Sequence, residues 1–347
     1  MRVIINSPFQ ATWSERDVEM LRASGYDHHV FHGFANGLLI GAWGILKLMF
    51  NRSSRGAVWL HQSAGHASVI PCVFGQFFGQ KNIVIAVGAD CARFPEINYG
   101  LYRKLSTRFT TVLSMKFADL ICPVHKRMIG YDYSYCDVKY KRQGVTAFVK
   151  GVEGKMFPIN NGFSEDKWGC ERPLEEREVD VLSVFVAGIA NRAKLKGADL
   201  LLDLAEQNPQ WSFRIIGAIG ANIRVPENCQ VISNCTQSQL RAQYNQAKVY
   251  VQASMSEGFP NTLAESMACG CFPIGSDVTS LPEIIGEHGL VLRKRDAAQL
   301  GDLVQQGLDA IHRDEVDPAA ISESIFRRFP LQKRTEGLKH AIERVMN

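Results

Sequence analysis

The chain has 347 residues, enough for two domains of ordinary size. Hydrophobic residues make up 46% and charged residues 21%, which is typical of globular proteins and excludes disordered, collagen-like and fibrous classes. The net charge of +4 is too small to predict nucleic-acid binding, and we expect no nucleic-acid partner.

The charge is unevenly distributed along the chain. Residues 1–172 hold 21 Lys and Arg against 13 Asp and Glu, whereas residues 173–347 hold 18 against 22. The basic half predicts contact with anionic lipid headgroups or a phosphorylated acceptor. An equally good explanation of the excess is that basic residues are scattered over the surface without a partner.

The cysteine pattern and the first residues bear on localisation. Nine cysteines occur without any CxxC pair, which favours reduced, buried thiols. The opening MRVIINSPF lacks the features of a signal peptide, and no apolar stretch has the length of a transmembrane helix. We therefore expect a cytoplasmic protein.

Strand-like and helix-like segments alternate in the first half. Strands are predicted at 2–6, 29–34, 57–61, 82–87 and 119–124, and helices at 14–24, 37–50, 67–78 and 99–117. Segment 37–50 (GLLIGAWGILKLMF) is apolar on most faces. It predicts either a buried helix or a helix lying peripherally on the inner face of the plasma membrane.

The second half repeats this alternation. Strands are predicted at 179–187, 213–216, 230–232, 249–252 and 272–274, and helices at 197–207, 239–247, 262–268 and within 317–347. The fold class is therefore α/β with parallel sheets. We expect a first domain at 1–168, a linker within 165–178, a second domain at 177–325, and a terminal helix at 326–347 that packs back on the first domain.

The most informative segment is 254–270, SMSEGFPNTLAESMACG, which follows a strand and opens a helix. Gly258 permits close backbone approach, and Pro260 fixes the entry to the helix. Asn261 or Thr262 is predicted as the N-cap. The free N–H groups of residues 261–263 would form an anion site that suits a diphosphate.

Two carboxylates of this segment are positioned to flank one ligand. Glu257 precedes the helix and Glu265 lies one turn into it. Two alternatives need no ligand. Thr262 and Glu265 match the capping box T-x-x-E, and Glu257 would be a solvated loop acid.

This segment resembles the E-x7-E motif of retaining GT-B glycosyltransferases, in particular family 4. The matching residues are Glu257, Gly258, Phe259, Pro260, Glu265, Ser266, Met267, Ala268 and Gly270. Upstream, GIANRAKLKG at 188–197 resembles the family's loop with an Arg and a Lys-Gly pair. Lys196 and Gly197 fit, but Ile189 stands where the family has Arg, so Arg192 or, as the weaker choice, Lys194 would reach the phosphate.

The resemblance implies the GT-B architecture of two Rossmann-like domains facing a central cleft. It implies retaining transfer of a hexose from a UDP- or GDP-sugar to a glycan, lipid-linked or small-molecule acceptor, in cell-surface polysaccharide or glycolipid synthesis. Glu257 would contact the donor sugar and Glu265 the ribose. The donor site would comprise Arg192, Lys196, Gly258, Phe259, Pro260, Asn261, Thr262, Leu263 and Glu265. No metal and no cofactor is expected.

The first domain departs from the family pattern. Many family members have a histidine after the strand equivalent to 82–87, whereas this chain reads Gly88-Ala89-Asp90-Cys91. Asp90 is the candidate for a catalytic or sugar contact and Gly88 for close backbone approach, and a turn aspartate is the alternative. His61 and His66 would lie at the same rim as acceptor or sugar contacts, or be ordinary half-buried histidines.

Other functions are disfavoured or left open. Neither G-x-G-x-x-G nor a Walker A sequence occurs, which argues against a nicotinamide enzyme and a P-loop enzyme. His28, His29 and His32 have poor spacing for a metal site. A sugar-nucleotide epimerase, a phosphorylase and a non-catalytic GT-B binding protein remain as alternatives.

Overall fold

A computed structural model describes residues 2–7, 12–32, 37–185, 193–219 and 223–347. Contacts divide the chain into two compact units. Unit 1 comprises Met1–Asp132, Val138–Asn160 and Gln332–Asn347, and unit 2 comprises Tyr133–Asp137 and Asn161–Leu331.

Unit 1 is built on a parallel sheet. Its strands are β1 (Arg2–Asn6), β2 (Asp27–Phe31), β3 (Val58–Gln62), β4 (Lys81–Ala86) and β5 (Leu120–Pro123), in the order β2-β1-β3-β4-β5. Its helices are α1 (Thr12–Ala23), α2 (Leu38–Phe50), α3 (Val69–Phe74), α4 (Leu105–Phe117) and α5 (Val145–Phe148). A short antiparallel pair, β6 (Tyr131–Asp132) and β7 (Arg142–Gln143), lies apart from this sheet.

Right-handed crossovers determine which face of the sheet each helix covers. The chain steps in one direction from β2 to β3, β4 and β5, so α2, α3 and α4 lie on one face, and the opposite step from β1 to β2 places α1 on the other. Buried Ile45 and Met49 of α2 pack with Ile4 and Trp59 of the sheet. All five residues of β3 are buried, as expected for a central parallel strand.

Unit 2 contains a second parallel sheet. Its strands are β8 (Val179–Val184), β9 (Phe213–Ile216), β10 (Cys229–Ile232), β11 (Ala247–Gln252), β12 (Phe272–Ser276) and β13 (Leu290–Leu292). Its helices are α6 (Ala193–Lys196), α7 (Ala198–Gln207), α8 (Gln237–Asn245), α9 (Asn261–Ala268), α10 (Leu281–Ile285), α11 (Ala297–His312) and α12 (Pro318–Arg328). The order β10-β9-β8-β11-β12-β13 reverses direction between β8 and β11, where sheets of this type bind ligands.

The last helix, α13 (Leu331–Met346), lies mostly in unit 1. The guanidinium of Arg334 donates to both carboxylate oxygens of Asp17 on α1, at 2.8 and 2.7 Å, and both side chains are buried. Burial alone would raise the pKa of Asp17, but the charge and hydrogen bonds of Arg334, the charge of Arg16 and the hydrogen bond from Gln62 together outweigh it, and the pKa lies below its ordinary value. This ion pair fixes α13 within unit 1.

Boundaries differ from the sequence expectations for identifiable reasons. Trp168 is buried and its ring contacts that of Tyr244, and Phe163 forms a bridge with Pro330, so residues 161–168 belong to unit 2. The helix expected from residue 99 begins at Leu105, because Asn98 is left-handed and closes a turn. Strand β13 and helices α10 and α11 were not predicted.

Candidate functional site

The loop from β11 to α9 is held rigidly at the carboxyl end of the sheet in unit 2. Ser254 and Ser256 within it are buried. The Ser276 hydroxyl donates to the Ser254 carbonyl at 2.6 Å, and the Ser280 hydroxyl donates to the Gly258 carbonyl at 2.8 Å. The backbone that carries Glu257 therefore has a fixed path.

The turn between α6 and α7 packs directly on this loop. Gly197 has a φ of +84°, and a Cβ at that position would lie 2.6 Å from the Ala253 carbonyl oxygen. The Met255 N–H donates to the Leu195 carbonyl at 2.7 Å. Only glycine permits both the conformation and this approach, which brings Lys196 beside the loop.

Lys196 and Glu257 form an ion pair at this place. Oε1 of Glu257 accepts from Lys196 Nζ at 2.5 Å, from Ser254 Oγ at 2.7 Å and from Gln252 Nε2 at 3.1 Å. The Lys196 and Glu257 side chains are 22% and 10% exposed. Among the residues that the structure describes, Oε2 of Glu257 accepts no hydrogen bond and Lys196 Nζ has no second partner, which leaves two ammonium N–H groups.

Gln252, the last residue of β11, orients this pair. Its Oε1 accepts from the Tyr250 hydroxyl at 2.8 Å and from the Thr262 hydroxyl at 3.0 Å. Its Nε2 must therefore point toward Ser254 and Glu257. Gln252 and Ser254 were not predicted as site residues. The available signal was a polar residue ending an otherwise apolar strand.

The start of α9 differs from the predicted cap. Pro260 is the N-cap, so Asn261 and Thr262 lie inside the helix, and no side chain caps it. Within the described part of the chain, the N–H groups of residues 261–263 have no acceptor. The side-chain oxygen of Asn261 accepts instead from Asn161 Nδ2 at 2.8 Å. Uncapped N–H groups and the helix dipole together provide a site for an anion.

The capping-box explanation of Glu265 does not hold. Thr262 is the second helical residue, and its hydroxyl bonds to Gln252 rather than to the backbone of α9. Glu265 is half-buried, and its Oε2 accepts from the Tyr244 hydroxyl at 3.4 Å.

Four residues assigned to the donor site have buried side chains, namely Phe259, Pro260, Thr262 and Leu263. The Phe259 ring packs between those of Phe163 and Phe329, at centroid distances of 6.0 and 5.2 Å, and Leu263 is fully buried. A ligand would meet these residues through their backbone. Arg192 and the loop residues 188–191 lie outside the described residues, whereas Lys194 is exposed on α6.

His61 is part of the sheet core in unit 1. Asn6 Nδ2 donates to its Nδ1 at 3.0 Å, so its Nε2 carries the proton and donates to Asn82 Oδ1 at 3.0 Å. Burial lowers the pKa of His61 to about 4. The ring has no exposed surface, so His61 is a fully buried core histidine rather than the acceptor contact or the half-buried histidine expected from the sequence. His66 is half-buried in the loop after β3.

Asp90 is also enclosed. Its carboxylate accepts from the N–H groups of Ala64, Val87 and Gly88 at 2.9–3.1 Å and from the Ser63 hydroxyl at 3.1 Å. The residue has no exposed surface, and burial raises the pKa of its carboxyl. Asp90 thus joins the loops after β3 and β4. This is the role of a turn aspartate, which was the alternative to a catalytic or sugar contact. Gly88 has a φ of +147°, which favours glycine.

The residues that the structure describes contain no group of three or more His, Cys, Asp and Glu side chains that could hold a metal ion. None of their helices combines the length and the apolar character needed to cross a membrane.

The family model for "Glycosyl transferases group 1" matches residues 174–320, which lie within unit 2. Over 91 residues, 26% of this chain and 11% of that protein, the chain is 34% identical to the serotype-specific mannosyltransferase WbdA of Escherichia coli. Over 137 residues, 36% of each protein, it is 30% identical to the GDP-mannose:cellobiosyl-diphosphopolyprenol alpha-mannosyltransferase of Xanthomonas oryzae pv. oryzae. These matches span much less than two thirds of either relative.

Solved structures resemble the whole chain. The sucrose-phosphate synthase of Thermosynechococcus elongatus has a TM-score of 0.74 at 13% identity, covering 99% of this chain and 98% of that one. Anabaena HepE, solved in complex with UDP and glucose, has a TM-score of 0.72 at 12% identity, covering 99% and 100%. The chain therefore has the GT-B fold of two Rossmann-like units, and its residues 174–320 match the family of group 1 glycosyl transferases.

Proposed function

We propose that this protein is a retaining glycosyltransferase of family 4 that moves a hexose from a nucleoside-diphosphate sugar to an acceptor. The observation that carries the proposal is the Lys196–Glu257 pair beside the uncapped start of α9. A cation, a carboxylate and free N–H groups thus meet where the strand order of unit 2 reverses.

Unit 2 would bind the donor diphosphate through positive charge. Lys196 has two ammonium N–H groups to offer, and the N–H groups of residues 261–263 add backbone donors with the favourable end of a helix dipole. Arg192 would supply a second cation in place of the family's arginine. These groups would stabilise the nucleoside diphosphate as it leaves, without a metal or another cofactor.

The two carboxylates would contact different parts of the donor. Glu257 is held through Oε1, so Oε2 is left to accept from a sugar hydroxyl. Glu265 would accept from the ribose hydroxyls. The leaving phosphate would itself take the proton of the acceptor, so the reaction needs no separate general base. Asp90, being buried, would shape the loops of unit 1 rather than touch the reacting atoms.

The acceptor is proposed to be a glycan, a lipid-linked sugar or a small molecule bound by unit 1, in the synthesis of cell-surface polysaccharide or glycolipid. The names of two matched relatives specify mannosyl transfer, and one of them names a diphosphopolyprenol-linked acceptor. GDP-mannose and a polyprenol-diphosphate sugar are therefore the first donor and acceptor to test.

The first experiment is a thermal-shift and calorimetric screen of UDP, GDP, ADP and their sugars, followed by product analysis. We expect saturable binding of one nucleoside diphosphate, and transfer to the acceptor with the donor's anomeric configuration kept, as read by NMR. Appearance of a new nucleotide sugar without acceptor would indicate an epimerase, and release of sugar phosphate from a glycan with inorganic phosphate would indicate a phosphorylase. Binding without turnover would indicate a binding protein, and no nucleotide binding would overturn the proposal.

A further inference from the structure

Unit 1 has an outer face of unusual composition, formed by α2, by α3 with the turn Gly75–Phe78, and by α4; we call it the α2–α4 face. Ten of the thirteen large hydrophobic side chains that are exposed in the described residues lie on these segments. The six most exposed of them, at 63–85% exposure, are Leu39, Trp43, Phe50, Phe77, Leu105 and Phe109. Monomeric soluble proteins rarely expose apolar side chains in such a group.

These side chains share one face because the helices that carry them form one layer. α3 packs between α2 and α4 on the same side of the sheet. Ile45 and Met49 of α2 and Met115 of α4 point inward and are buried. Residues half a helical turn away from them, such as Trp43 and Phe109, therefore point outward.

The charged residues of the α2–α4 face are all cationic. No Asp or Glu occurs between residues 28 and 89 or between residues 97 and 118. The exposed charged residues of these segments are Lys47, Arg108 and Lys116, and the exposed residues Arg52, Arg55 and Lys104 lie next to the ends of α2 and α4. The unevenness of charge noted in the sequence is thus concentrated around exposed apolar rings.

We propose that the α2–α4 face binds the surface of an anionic phospholipid bilayer. Anionic headgroups would neutralise the cations, while the apolar side chains reach the boundary of the acyl chains. With 13 residues each, α2 and α4 are about 20 Å long and would lie in the plane of the interface. Trp43 stands at the outer side of α2, and tryptophan is favoured at this depth.

A second copy of the chain fits this face less well. A two-fold symmetric contact would set the same cations opposite each other, with no acidic residue on these segments to pair them. The structure also overturns the alternative of a fully buried helix at residues 37–50, because Leu39 is 85% exposed. The inference uses unit 1 alone and does not depend on the proposed glycosyl transfer.

The test is flotation with vesicles of 30% phosphatidylglycerol in phosphatidylcholine, without any nucleotide sugar. We expect binding that weakens at high salt, and at least a tenfold loss in two variants, Leu39→Gln/Trp43→Gln/Phe109→Gln and Lys47→Glu/Arg108→Glu. Matched controls alter exposed residues elsewhere, Ile223→Gln/Val225→Gln/Met346→Gln and Lys150→Glu/Lys333→Glu, and should lose less than twofold. Circular dichroism and the melting temperature verify that every variant is folded. Equal losses in test and control variants would overturn the proposal.

A second measurement locates the contact. Lipids brominated in the acyl chain should quench the fluorescence of the bound protein, and Trp43→Phe should retain binding while losing most of this quenching. Unchanged quenching in Trp43→Phe would place another surface on the membrane and contradict the proposal. Two results together would assign the face to a second copy of the chain and overturn the proposal. Sedimentation would show a dimer that the same apolar variant abolishes, and the protein would not bind vesicles.

Discussion

Nζ of Lys196 lies 2.5 Å from Oε1 of Glu257, although 61 positions separate the two residues in the sequence. The same oxygen accepts from Ser254 and Gln252, so the carboxylate is positioned by three donors, which come from the end of α6, the end of β11 and the loop after β11. A cation expected to bind a diphosphate is therefore held beside a negative charge. Donor affinity and turnover should respond differently when each partner is changed.

Removing the cation should weaken nucleotide binding. Lys196→Met is expected to lower the affinity for the nucleoside diphosphate by about 10- to 100-fold, because a charge-assisted hydrogen bond is worth about 1.5–3 kcal/mol. Calorimetric titration measures the change, and Lys333→Met, an exposed lysine of α13, is the matched control. The variant should also melt earlier, since Glu257 loses its partner, and adding Glu257→Gln should recover part of that stability but not the affinity. Wild-type affinity in Lys196→Met would contradict the phosphate assignment.

Neutralising the carboxylate should act on turnover. Glu257→Gln is expected to lower kcat by about 100-fold or more, as when a group that stabilises charge in the transition state is removed. The affinity for the nucleoside diphosphate should stay the same or rise, because a negative charge beside Lys196 is lost. Steady-state kinetics and titration of the same preparation separate these effects, with exposed Glu287→Gln as control. An unchanged kcat would remove Glu257 from the mechanism.

Glu265 should act in the binding of the donor. Glu265→Gln is expected to raise the donor KM by about tenfold with little change in kcat, since a ribose contact is made equally in the ground and transition states. Because Thr262 lies inside α9 and no capping box forms, the melting temperature should hardly change. A variant that melts several degrees earlier but keeps its donor KM would show that the acid is structural.

The proposed diphosphate site predicts metal-independent turnover. In the proposed site, Lys196, Arg192 and the start of α9 would supply the positive charge that stabilises the leaving group. We therefore expect activity to survive an excess of EDTA at the same rate. Complete loss on chelation, restored by Mg²⁺ or Mn²⁺, would require a different account of how the leaving group is stabilised.

His61 should make stability depend on pH. Its pKa in the fold is about 4, below the ordinary value of 6.5, so as the pH falls the unfolded chain takes up the proton first. The free energy by which neutral His61 stabilises the fold is fully present above pH 6.5 and declines toward pH 4. The total loss is up to about 3 kcal/mol, because each unit of difference between the two pKa values is worth about 1.4 kcal/mol. Urea unfolding between pH 7.5 and 5 should show a smaller pH dependence in His61→Gln than in the wild type. Equal dependence in the two proteins would contradict a buried, neutral His61.

The sequence alone determined the fold class and the segment of unit 2 that carries the candidate site. Short β-branched runs, helical spacing of leucines and the glycines and proline of residues 254–270 act locally, so they can be interpreted without knowing what packs against them. For the same reason the ends of most strands were predicted to within a few residues. The motif also identified Glu257, Glu265 and Lys196 as candidates before any geometry was known.

Only the tertiary structure decided what surrounds each candidate. Asp90 follows the end of β4 and His61 lies within β3, and donors and acceptors from residues far away in the sequence help to enclose both. Gln252 belongs to the site because the hydroxyl groups of Tyr250 and Thr262 fix the orientation of its amide. The residue pattern of the apolar segment 37–50 is compatible with a buried helix and with an exposed one. The helix is partly exposed because α2 packs against the sheet on one side only. Burial and hydrogen-bond partners are properties of neighbours in space, which a linear pattern does not contain.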